Sequence, residues 1–382
     1  MSSLIVVDDE FAFADFVAKV ATGAGYDVTV AETAADFRRL TERVWPRVLV
    51  LDLYMPDTDG IELLRELKER HCDSRIILLS GTDGRVLDAA YRLGGELGLA
   101  MAEKLTKPVR APDLRRLLDG LRGDRPPPTA ESLAAAIAGE QLFLLYQPKV
   151  ELKSGRIVGV EALVRWRGED GGVILPDSFI PLAESAGLID ALTDWVVRAA
   201  FRQAGHWQGR GLDLHMAINL SAGNIHDRHL PDSVARQCAE AGIAPESVTL
   251  ELTETASSKD SATMLEVLGR FRLKGFRLSI DDFGTGYSSV AQLLRLPFSE
   301  LKIDKSFVSE IGRSREADIV AKTLIDMAHN LGLTTVAEGV ESQRSLTALR
   351  AWDCAMAQGY LFSRPVAAEA VEQMLPPQES GA

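Results

Sequence analysis

Acidic side chains recur at the ends of apolar runs in the second half of this 382-residue chain. The run LSIDD ends on Asp281 and Asp282, while VGVEALVRW, VTLELTE and TTVAEGVE carry Glu161, Glu251 and Glu338. Five carboxylates in one pocket would repel one another strongly unless cations balanced their charge. Oxygen ligands without a thiolate favour Mg²⁺ or Mn²⁺ over structural zinc. These residues therefore predict a site with enough acids for two divalent ions.

Two such ions are suited to the hydrolysis of a phosphodiester. A pair of ions about 4 Å apart polarises the phosphorus centre, generates a hydroxide and stabilises the leaving oxygen. Adjacent Asp281 and Asp282 could supply one bridging ligand and one terminal ligand. The alternative places each acid on an ordinary solvated loop, but the recurrence of acids on successive runs favours a shared site.

The elements that would position these acids are the strands of a barrel. In a domain spanning residues 133–376, apolar runs alternate with helical patterns, and this repetition predicts a (β/α) TIM-like barrel. The strands of such a barrel direct their carboxyl ends to one face, so the polar residues at those ends should meet. The runs MAINLS, LKID and AMAQGY add Asn219, Lys302 and Gln358 to that face.

A second set of polar residues lies in the first third of the chain. Asp8 and Asp9 follow the run LIVV, Asp52 ends RVLVLD, Ser80 ends RIILLS, and Lys107 follows LAMAEKL. Five buried runs separated by helical segments predict an α/β domain with a doubly wound, flavodoxin-like sheet of five parallel strands. Three acids, a lysine and a hydroxyl at the carboxyl ends predict a divalent-cation site where one carboxylate can be phosphorylated.

A proline-rich segment separates the two domains. The stretch GDRPPPTAES, residues 123–132, contains three consecutive prolines, which favour an extended conformation and lack backbone N–H donors. We therefore predict a linker there, between a domain at residues 1–122 and a domain at residues 133–376.

The composition restricts the partners and the compartment. A net charge of −13 argues against a nucleic-acid duplex or an anionic membrane as partner, since either would attract a basic face. Three widely spaced cysteines predict neither a disulfide framework nor a thiolate metal site. The start MSSLIVVDDE lacks a targeting pattern, and no run approaches ~18 apolar residues, so we expect a cytoplasmic protein.

The motifs DDE, LVLDLYMPDTDG, LLSGT and KP resemble those of the receiver domain of two-component response regulators. The resemblance implies that Asp52 accepts a phosphoryl group and that a cognate sensor histidine kinase is a partner. It also implies that Asp8 and Asp9, with Asp52, hold Mg²⁺. Ser80 would be the switch hydroxyl, and Lys107 would contact the phosphoryl group.

Lys104 departs from the receiver pattern. It lies three residues before Lys107 of the KP motif, at a position where the family usually has an aromatic switch residue. We therefore expect this receiver to be coupled to its output by different contacts. The alternative is a receiver-like fold that is never phosphorylated, but the presence of every acceptor-site residue favours phosphorylation.

The second domain resembles the EAL-domain phosphodiesterases, which hydrolyse the bacterial messenger cyclic di-GMP. Glu161-Ala162-Leu163 matches the signature tripeptide of that family, and the resemblance extends from YQPKVEL to GYLFSRP. The implied ligands of the first ion are Glu161, Asn219, Glu251 and Asp281. The implied ligands of the second ion are Asp281, Asp282 and Glu338. Lys302 would orient the attacking water, and Glu338 would be either a general base or a metal ligand.

The same resemblance implies a substrate pocket and a regulatory loop. The implied substrate contacts are Gln147, Leu163, Arg165 and Pro365, with Gln358 supporting the site. The loop from Phe283 to Ser289, braced by Glu254 and Glu341, would link the site to an interface between barrels in a homodimer or higher homo-oligomer. Its glycines would let the loop hold the two aspartates in two arrangements, so that metal affinity could be adjusted from a distance.

These patterns predict a response regulator that hydrolyses cyclic di-GMP to pGpG by a two-metal mechanism, under control of receiver phosphorylation. Two alternatives belong to other classes: a catalytically silent receptor for cyclic di-GMP, and a scaffold whose barrel only docks proteins. Silent members of the family typically lose a metal ligand or disturb the DDFGTGYSS loop, and this chain does neither. The intact acid cluster is also difficult to explain for a scaffold.

Overall fold

The computed structural model describes residues 2–42, 44–55, 58–81, 84–122, 128–168, 171–253, 262–284 and 290–375. The chain divides into two compact units, Met1–Pro126 and Pro127–Ala382. Across the described ranges, none of the helices is both long enough and apolar enough to cross a membrane.

The first unit contains a five-stranded parallel sheet in its described part. The strands of the sheet are β1 (Ser2–Val7), β2 (Tyr26–Ala31), β3 (Val48–Asp52), β6 (Arg75–Ser80) and β7 (Met101–Thr106). Between β3 and β6, strands β4 (Tyr54–Met55) and β5 (Thr58–Asp59) form a small separate hairpin. Its helices are α1 (Phe11–Gly23), α2 (Ala34–Leu40), α3 (Gly60–Glu69), α4 (Gly84–Glu96) and α5 (Ala111–Arg122). The strand order β2-β1-β3-β6-β7 confirms the predicted doubly wound fold.

This sheet is covered on both faces because its strands are apolar on both sides. In β3, Leu49 and Leu51 pack into one hydrophobic cluster, whereas Val48 and Val50 pack into another. Successive side chains of a strand point to opposite faces, so each strand contributes to both cores. The carboxyl ends of the strands remain free to carry polar residues.

The second unit is built around an eight-stranded barrel within the described residues. Its strands are β8 (Leu142–Glu151), β9 (Ile157–Arg167), β10 (Val173–Ile174), β11 (His215–Leu220), β12 (Val248–Thr253), β13 (Arg277–Phe283), β14 (Glu300–Ile303), β15 (Thr334–Ala337) and β16 (Met356–Ala357). The order β9-β11-β12-β13-β14-β15-β16-β8 closes where β8 pairs with β9. This arrangement confirms the predicted TIM-like barrel, and β10 only flanks β9.

Among the described residues of the second unit, one helix precedes β8 and the others alternate with the strands from β10 onward. The helices are α6 (Ala130–Ala138), α7 (Pro176–Ser185), α8 (Ile189–Gly209), α9 (Leu230–Glu240), α10 (Ala262–Leu273), α11 (Val290–Arg295), α12 (Lys305–Val308), α13 (Arg315–Asn330), α14 (Gln343–Ala351) and α15 (Ala368–Met374). Two short 3₁₀ turns are Ala222–Asn224 and Pro245–Ser247. Helix α6 begins inside the stretch 123–132, because Thr129 and Ser132 form a capping box.

One strand of the barrel runs against the others. Strand β8 is antiparallel to both of its neighbours, β9 and β16, whereas β11 to β16 pair with one another in parallel. The connection from Glu151 to Ile157 is a short turn, and a parallel crossover would need a dozen or more residues. The strand–helix repetition does not reveal this reversal.

Candidate functional sites

The carboxyl ends of β1 and β3 bring together the predicted acids of the first unit. Asp8 and Asp52 are buried, and Asp9 is exposed. Carboxylate oxygens of these three residues lie within 4.8 Å of one another. Lys107 Nζ lies 2.8 Å from Asp8 Oδ2 and 2.7 Å from Asp52 Oδ2. One lysine and three acids leave this cluster with excess negative charge.

Burial and charge pairing act in opposite directions in this cluster. Burial raises the pKa of the Asp8 carboxyl, although Lys107 opposes the effect. Burial would lower the pKa of Lys107, but its hydrogen bonds to Asp52 and Asp8 outweigh burial and raise it. Lys107 is therefore held as a cation beside the two buried acids. Ser80 is buried at the end of β6, and its carbonyl accepts a 2.8 Å hydrogen bond from the backbone N–H of Lys107.

Lys104 lies at the surface of the first unit. Its Nζ is 2.5 Å from Asp88 Oδ1 and 5.7 Å from the ring centroid of Tyr91. Both partners belong to α4, so Lys104 connects β7 to that helix. An ion pair with a helix occupies the position where the receiver pattern has an aromatic side chain.

The predicted acids of the second unit meet because the strand register directs them to one face. Glu161 is aligned with Ala217, two residues before Asn219 on β11. Asn219 is in turn aligned with Glu251, and Thr253 is aligned with Asp281. Side chains two residues apart on a strand share a face, and aligned residues of neighbouring strands do too. The register therefore brings these polar side chains to the inside of the barrel.

Lys302 lies at the centre of this acid cluster. It is 1% exposed, and its Nζ lies 2.7 Å from Glu251 Oε2, 2.9 Å from Asp281 Oδ2 and 2.6 Å from Glu338 Oε1. Glu161 Oε2 is farther away, at 3.6 Å. Burial would lower the pKa of Lys302, but the surrounding acids outweigh burial and raise it well above its usual value. Lys302 thus remains charged and shares its charge among several carboxylates.

Glu161 is held by two side-chain amides. Asn219 Nδ2 donates to Glu161 Oε1 at 2.7 Å, and Gln358 Nε2 donates to Glu161 Oε2 at 2.6 Å. Gln358 Nε2 also donates to Gln147 Oε1 at 2.8 Å, and Gln147 Nε2 donates to the carbonyl of Ser363 at 3.2 Å. The amides therefore join the first and last strands of the barrel at this carboxylate.

Asp281 and Asp282 both reach the site because β13 is irregular where they lie. Consecutive residues of a regular strand point to opposite faces. The pairing register of β13 with β14 shifts between Ile280 and Phe283, and Asp282 has a positive φ of 54°. Such a bulge redirects a side chain, and aspartate tolerates the left-handed region better than most residues. Carboxylate oxygens of Asp281, Asp282 and Glu338 consequently lie within 4.8 Å of one another.

Crowding of these carboxylates changes their proton affinity. Burial, followed by repulsion from Asp281 and Asp304, raises the pKa of Asp282 to about 7. Burial also raises the pKa of Glu338 to about 8, with Asp281 and Glu161 adding to the effect and Lys302 opposing it. The pKa of Asp281 is raised as well, mainly by burial. A divalent cation bound here would relieve this repulsion.

Close backbone contact keeps the last two polar strand ends in place. A Cβ on Gly359 would lie 2.2 Å from the backbone nitrogen of Val340, so only glycine fits there. The backbone N–H of Val340 donates to the carbonyl of Gln358 at 3.0 Å. These contacts hold the segment carrying Glu338 against the segment carrying Gln358.

The other predicted residues are distributed around the site or lie beyond the described residues. Leu163 and Arg165 are half-buried. They lie two and four residues after Glu161 on β9, so their side chains point to the same face as that of Glu161. Burial lowers the pKa of Arg165. Pro365 is half-buried and Glu341 is exposed. Glu254 and residues 285–289 of the predicted loop lie outside the described residues.

The sequence analysis missed three charged residues of this network: Lys149, Glu300 and Asp304. Lys149 Nζ lies 2.5 Å from Glu251 Oε1, and Asp304 shares a hydrogen bond with Asp282. Burial would raise the pKa of Glu251, but Lys149 and Lys302 outweigh it and hold the pKa at about 2. The available signals were the lysine in the run LFLLYQPKVE of β8 and the aspartate that directly follows the run LKI.

Comparison with known families divides the chain in the same way. The profile of the EAL domain matches residues 130–365, and the profile of the response regulator receiver domain matches residues 4–119. A protein named cyclic di-GMP phosphodiesterase PA2567, from Pseudomonas aeruginosa, is 40% identical over 245 residues, which are 64% of this chain and 42% of that protein. An uncharacterized signaling protein from Caulobacter vibrioides is 37% identical over 300 residues, which are 78% of this chain and 36% of that protein. The chain thus spans about two fifths or less of the length of these two relatives.

Solved structures match the second unit. A structure titled PaMucR phosphodiesterase, c-di-GMP complex, has a TM-score of 0.60 and 39% sequence identity. The match covers 63% of this chain and 98% of that one. The EAL domain of Mycobacterium smegmatis DcpA has a TM-score of 0.53 and 31% identity, over 62% of this chain and 96% of that one.

Proposed function

Because the chain belongs to the EAL domain family and carries a receiver domain at residues 4–119, we propose that it hydrolyses cyclic di-GMP to pGpG with two divalent ions, under control of phosphorylation at Asp52. The observation that carries the proposal is the cluster of acids around Lys302. Two buried lysines, Lys302 and Lys149, cannot neutralise the five carboxylates of the cluster, and a dinucleotide phosphodiester would add further negative charge. Divalent cations are the usual solution to such an imbalance.

The donor atoms of the cluster fit Mg²⁺ or Mn²⁺. All of the donors are carboxylate or amide oxygens. Burial, with a smaller contribution from repulsion by neighbouring acids, raises the pKa values of Asp282 and Glu338, and a bound cation would stabilise the two carboxylates. The proposed ligands of the first ion are Glu161, Asn219, Glu251 and Asp281. The proposed ligands of the second ion are Asp281, Asp282 and Glu338. When bound, the ions would supply a Lewis acid for the phosphoryl oxygens and lower the pKa of the attacking water.

The side chains of the chain would perform the remaining steps. Lys302 would orient the attacking water, since its raised pKa keeps it a hydrogen-bond donor at neutral pH. Glu338 would act either as a ligand of the second ion or as the general base for that water. Its pKa of about 8 keeps it protonated at neutral pH without metal, so a bound ion would be needed to favour the carboxylate that either role requires. Arg165, with Leu163, Gln147 and Pro365, would bind the dinucleotide, and a guanidinium suits a phosphate because it donates two parallel hydrogen bonds.

The charges and oxygen ligands of the receiver site are suited to phosphoryl transfer. Asp52 would accept the phosphoryl group from a sensor histidine kinase, and Lys107 lies close enough to pair with the added charge. Asp8, Asp9 and Asp52 offer oxygen ligands for Mg²⁺.

Pairing of two chains through the barrel belongs to the same proposal, and light scattering of the purified chain tests it.

Turnover of cyclic di-GMP by the purified chain tests the proposal directly. We expect pGpG to form with Mg²⁺ or Mn²⁺, as resolved by chromatography, and to disappear on chelation. A small-molecule phosphodonor should change the rate of hydrolysis by the wild type and should not change the rate of the Asp52→Asn variant. Tight binding without product would instead assign the chain to the receptors of cyclic di-GMP.

Substitution of Glu161 sharpens that test. We expect Glu161→Ala to abolish hydrolysis, because Glu161 is a proposed ligand held by Asn219 and Gln358. Glu310→Ala is the matched control, since Glu310 is exposed and its ion pair with Arg313 lies at the surface. Near wild-type turnover by Glu161→Ala would refute the assignment of the site.

A further inference from the structure

Lys149 is a buried cation that the proposed reaction does not use. It lies on β8, and its side chain is 5% exposed. Its Nζ lies 2.5 Å from Glu251 Oε1 and 3.4 Å from Glu300 Oε1. A buried charge is costly unless it is paired, so these two carboxylates account for its ionised state.

Glu251 is therefore held from two sides. Its Oε2 contacts Lys302 at 2.7 Å, and its Oε1 contacts Lys149 at 2.5 Å. Glu300, the first residue of β14, contacts Lys149 from the opposite end of the barrel, two residues before Lys302. Charges of alternating sign thus run from the acid cluster at the carboxyl ends of the strands to the amino ends.

We propose that Lys149 is a positioning residue for divalent-cation binding, acting through Glu251. By holding Oε1, it leaves Oε2 directed into the acid cluster, and Glu300 holds Lys149 in turn. This inference rests on the proposed function, since it requires Glu251 to be a metal ligand. Loss of a partner that orients a ligand typically weakens metal affinity by about 10–100-fold.

The surroundings of Lys149 allow its charge to be replaced from solution. Lys149 lines a cavity of about 290 Å³ together with His215, Thr249, Arg277 and Glu300. Arg277 is exposed, so the cavity adjoins solvent at the amino ends of the strands. In Lys149→Ala, the missing atoms correspond to n-propylammonium, and the cavity leads to the position they vacate.

Calorimetric titration of Mn²⁺ tests the proposal. All variants would carry Asp8→Asn and Asp9→Asn, so that the receiver site contributes little heat. We expect Lys149→Met to weaken Mn²⁺ binding in the barrel by about 10–100-fold. Millimolar n-propylammonium should strengthen binding in Lys149→Ala and have no effect in Lys149→Met, where the side chain fills the space. A purely structural role for Lys149 would not produce this difference.

Lys274→Met is the matched control because it removes a lysine whose ion pair with Asp232 lies at the surface, with side chains 30% and 46% exposed. It should bind Mn²⁺ as the parent does. If Lys149→Met does not fold, Glu300→Gln provides the second test, with a smaller loss of affinity expected. Parental affinity in folded Lys149→Met, or in Glu300→Gln when Lys149→Met does not fold, overturns the proposal.

The two proposals fail in different ways. A parent chain that binds Mn²⁺ in the barrel but does not hydrolyse cyclic di-GMP overturns the proposed hydrolysis and leaves the Lys149 comparison decisive. A parent chain that hydrolyses the dinucleotide, with Lys149→Met binding Mn²⁺ equally well, overturns only the role of Lys149. A barrel that binds no Mn²⁺ overturns both.

Discussion

The acidic sites of the two units differ in how their charge is balanced. In the receiver, Asp9 is exposed and Lys107, at 12% exposure, faces two buried acids. In the barrel, Lys302 is 1% exposed and Glu251 is fully buried between two lysines. Water can therefore screen part of the charge in the receiver, whereas the barrel must balance its charge with its own residues or with bound ions.

This difference fits what each site has to do. In the proposed function a phosphoryl group and Mg²⁺ would enter and leave the receiver, and the exposed carboxylate of Asp9 is consistent with that exchange. The barrel instead holds several acids at fixed positions inside a closed sheet. A change of one residue there leaves a buried partner without compensation, which costs far more than the same change at a surface.

Removal of Lys302 should have the largest effect. We expect Lys302→Met to abolish hydrolysis and, in chelator, to lower the free energy of unfolding by about 3–5 kcal/mol, because three contacting carboxylates lose their shared cation. Divalent ions should recover part of the stability. Lys107→Met should cause a smaller loss. Denaturant unfolding followed with and without Mg²⁺ measures both, and equal losses would contradict the comparison between the sites.

The pH dependence of stability is an effect of comparable size. The Glu338 carboxyl has a pKa of about 8 in the folded chain against 4.5 as its ordinary value, so the folded state keeps a proton that the unfolded state releases. Metal-free stability should therefore fall as pH rises from about 4.5 to about 8, by up to ~1.4 kcal/mol per pH unit for one proton. Asp282, with a pKa of about 7, acts in the same direction.

Glu251 contributes a pH dependence of stability with the opposite sign, and it should lower stability at acid pH. Its pKa of about 2 lies below 4.5, so its contribution to stability is lost as pH falls from about 4.5 to about 2. Bound ions should remove the loss at higher pH, since they displace the protons of Glu338 and Asp282. Thermal unfolding from pH 5 to 8 in chelator tests the predicted loss of stability at higher pH, with Glu338→Gln as the control. A slope unchanged by Glu338→Gln would show that the trend has another source.

The convergence of acidic side chains in each unit could be predicted from the sequence because strand ends can be recognised in it. Asp52 ends an apolar run that became β3, and Asp281 ends one that became β13. In parallel sheets and barrels such ends converge, so the sequence position of a polar residue also predicts its place in the fold.

The partners inside the barrel could not be predicted in this way. Lys149 reaches Glu251 because β8 runs antiparallel to its neighbours, and the run alone does not indicate that direction. Asp282 reaches the site through a positive φ, which an aspartate permits but does not require. Both contacts depend on long-range pairing, whereas the strand ends depend on local pattern.

The smallest effect should come from Lys104, which provides the closest comparison with Lys149. Lys104 Nζ lies 2.5 Å from Asp88 Oδ1, the same separation as between Lys149 Nζ and Glu251 Oε1. The first pair is 40% and 42% exposed, and the second is 5% and 0% exposed. An exposed pair contributes about 0.2–1 kcal/mol, because water and salt screen it and its side chains lose rotamer freedom.

We therefore expect Lys104→Ala to lower the free energy of unfolding by no more than ~1 kcal/mol, and by less at high salt. Lys19→Ala, which removes the exposed pair with Asp15, is the control and should behave alike. Denaturant unfolding at two salt concentrations measures both variants beside Lys149→Met. A loss at Lys104 as large as the loss at Lys149 would mean that separation, and not burial, determines the contribution of a lysine–carboxylate pair in this chain.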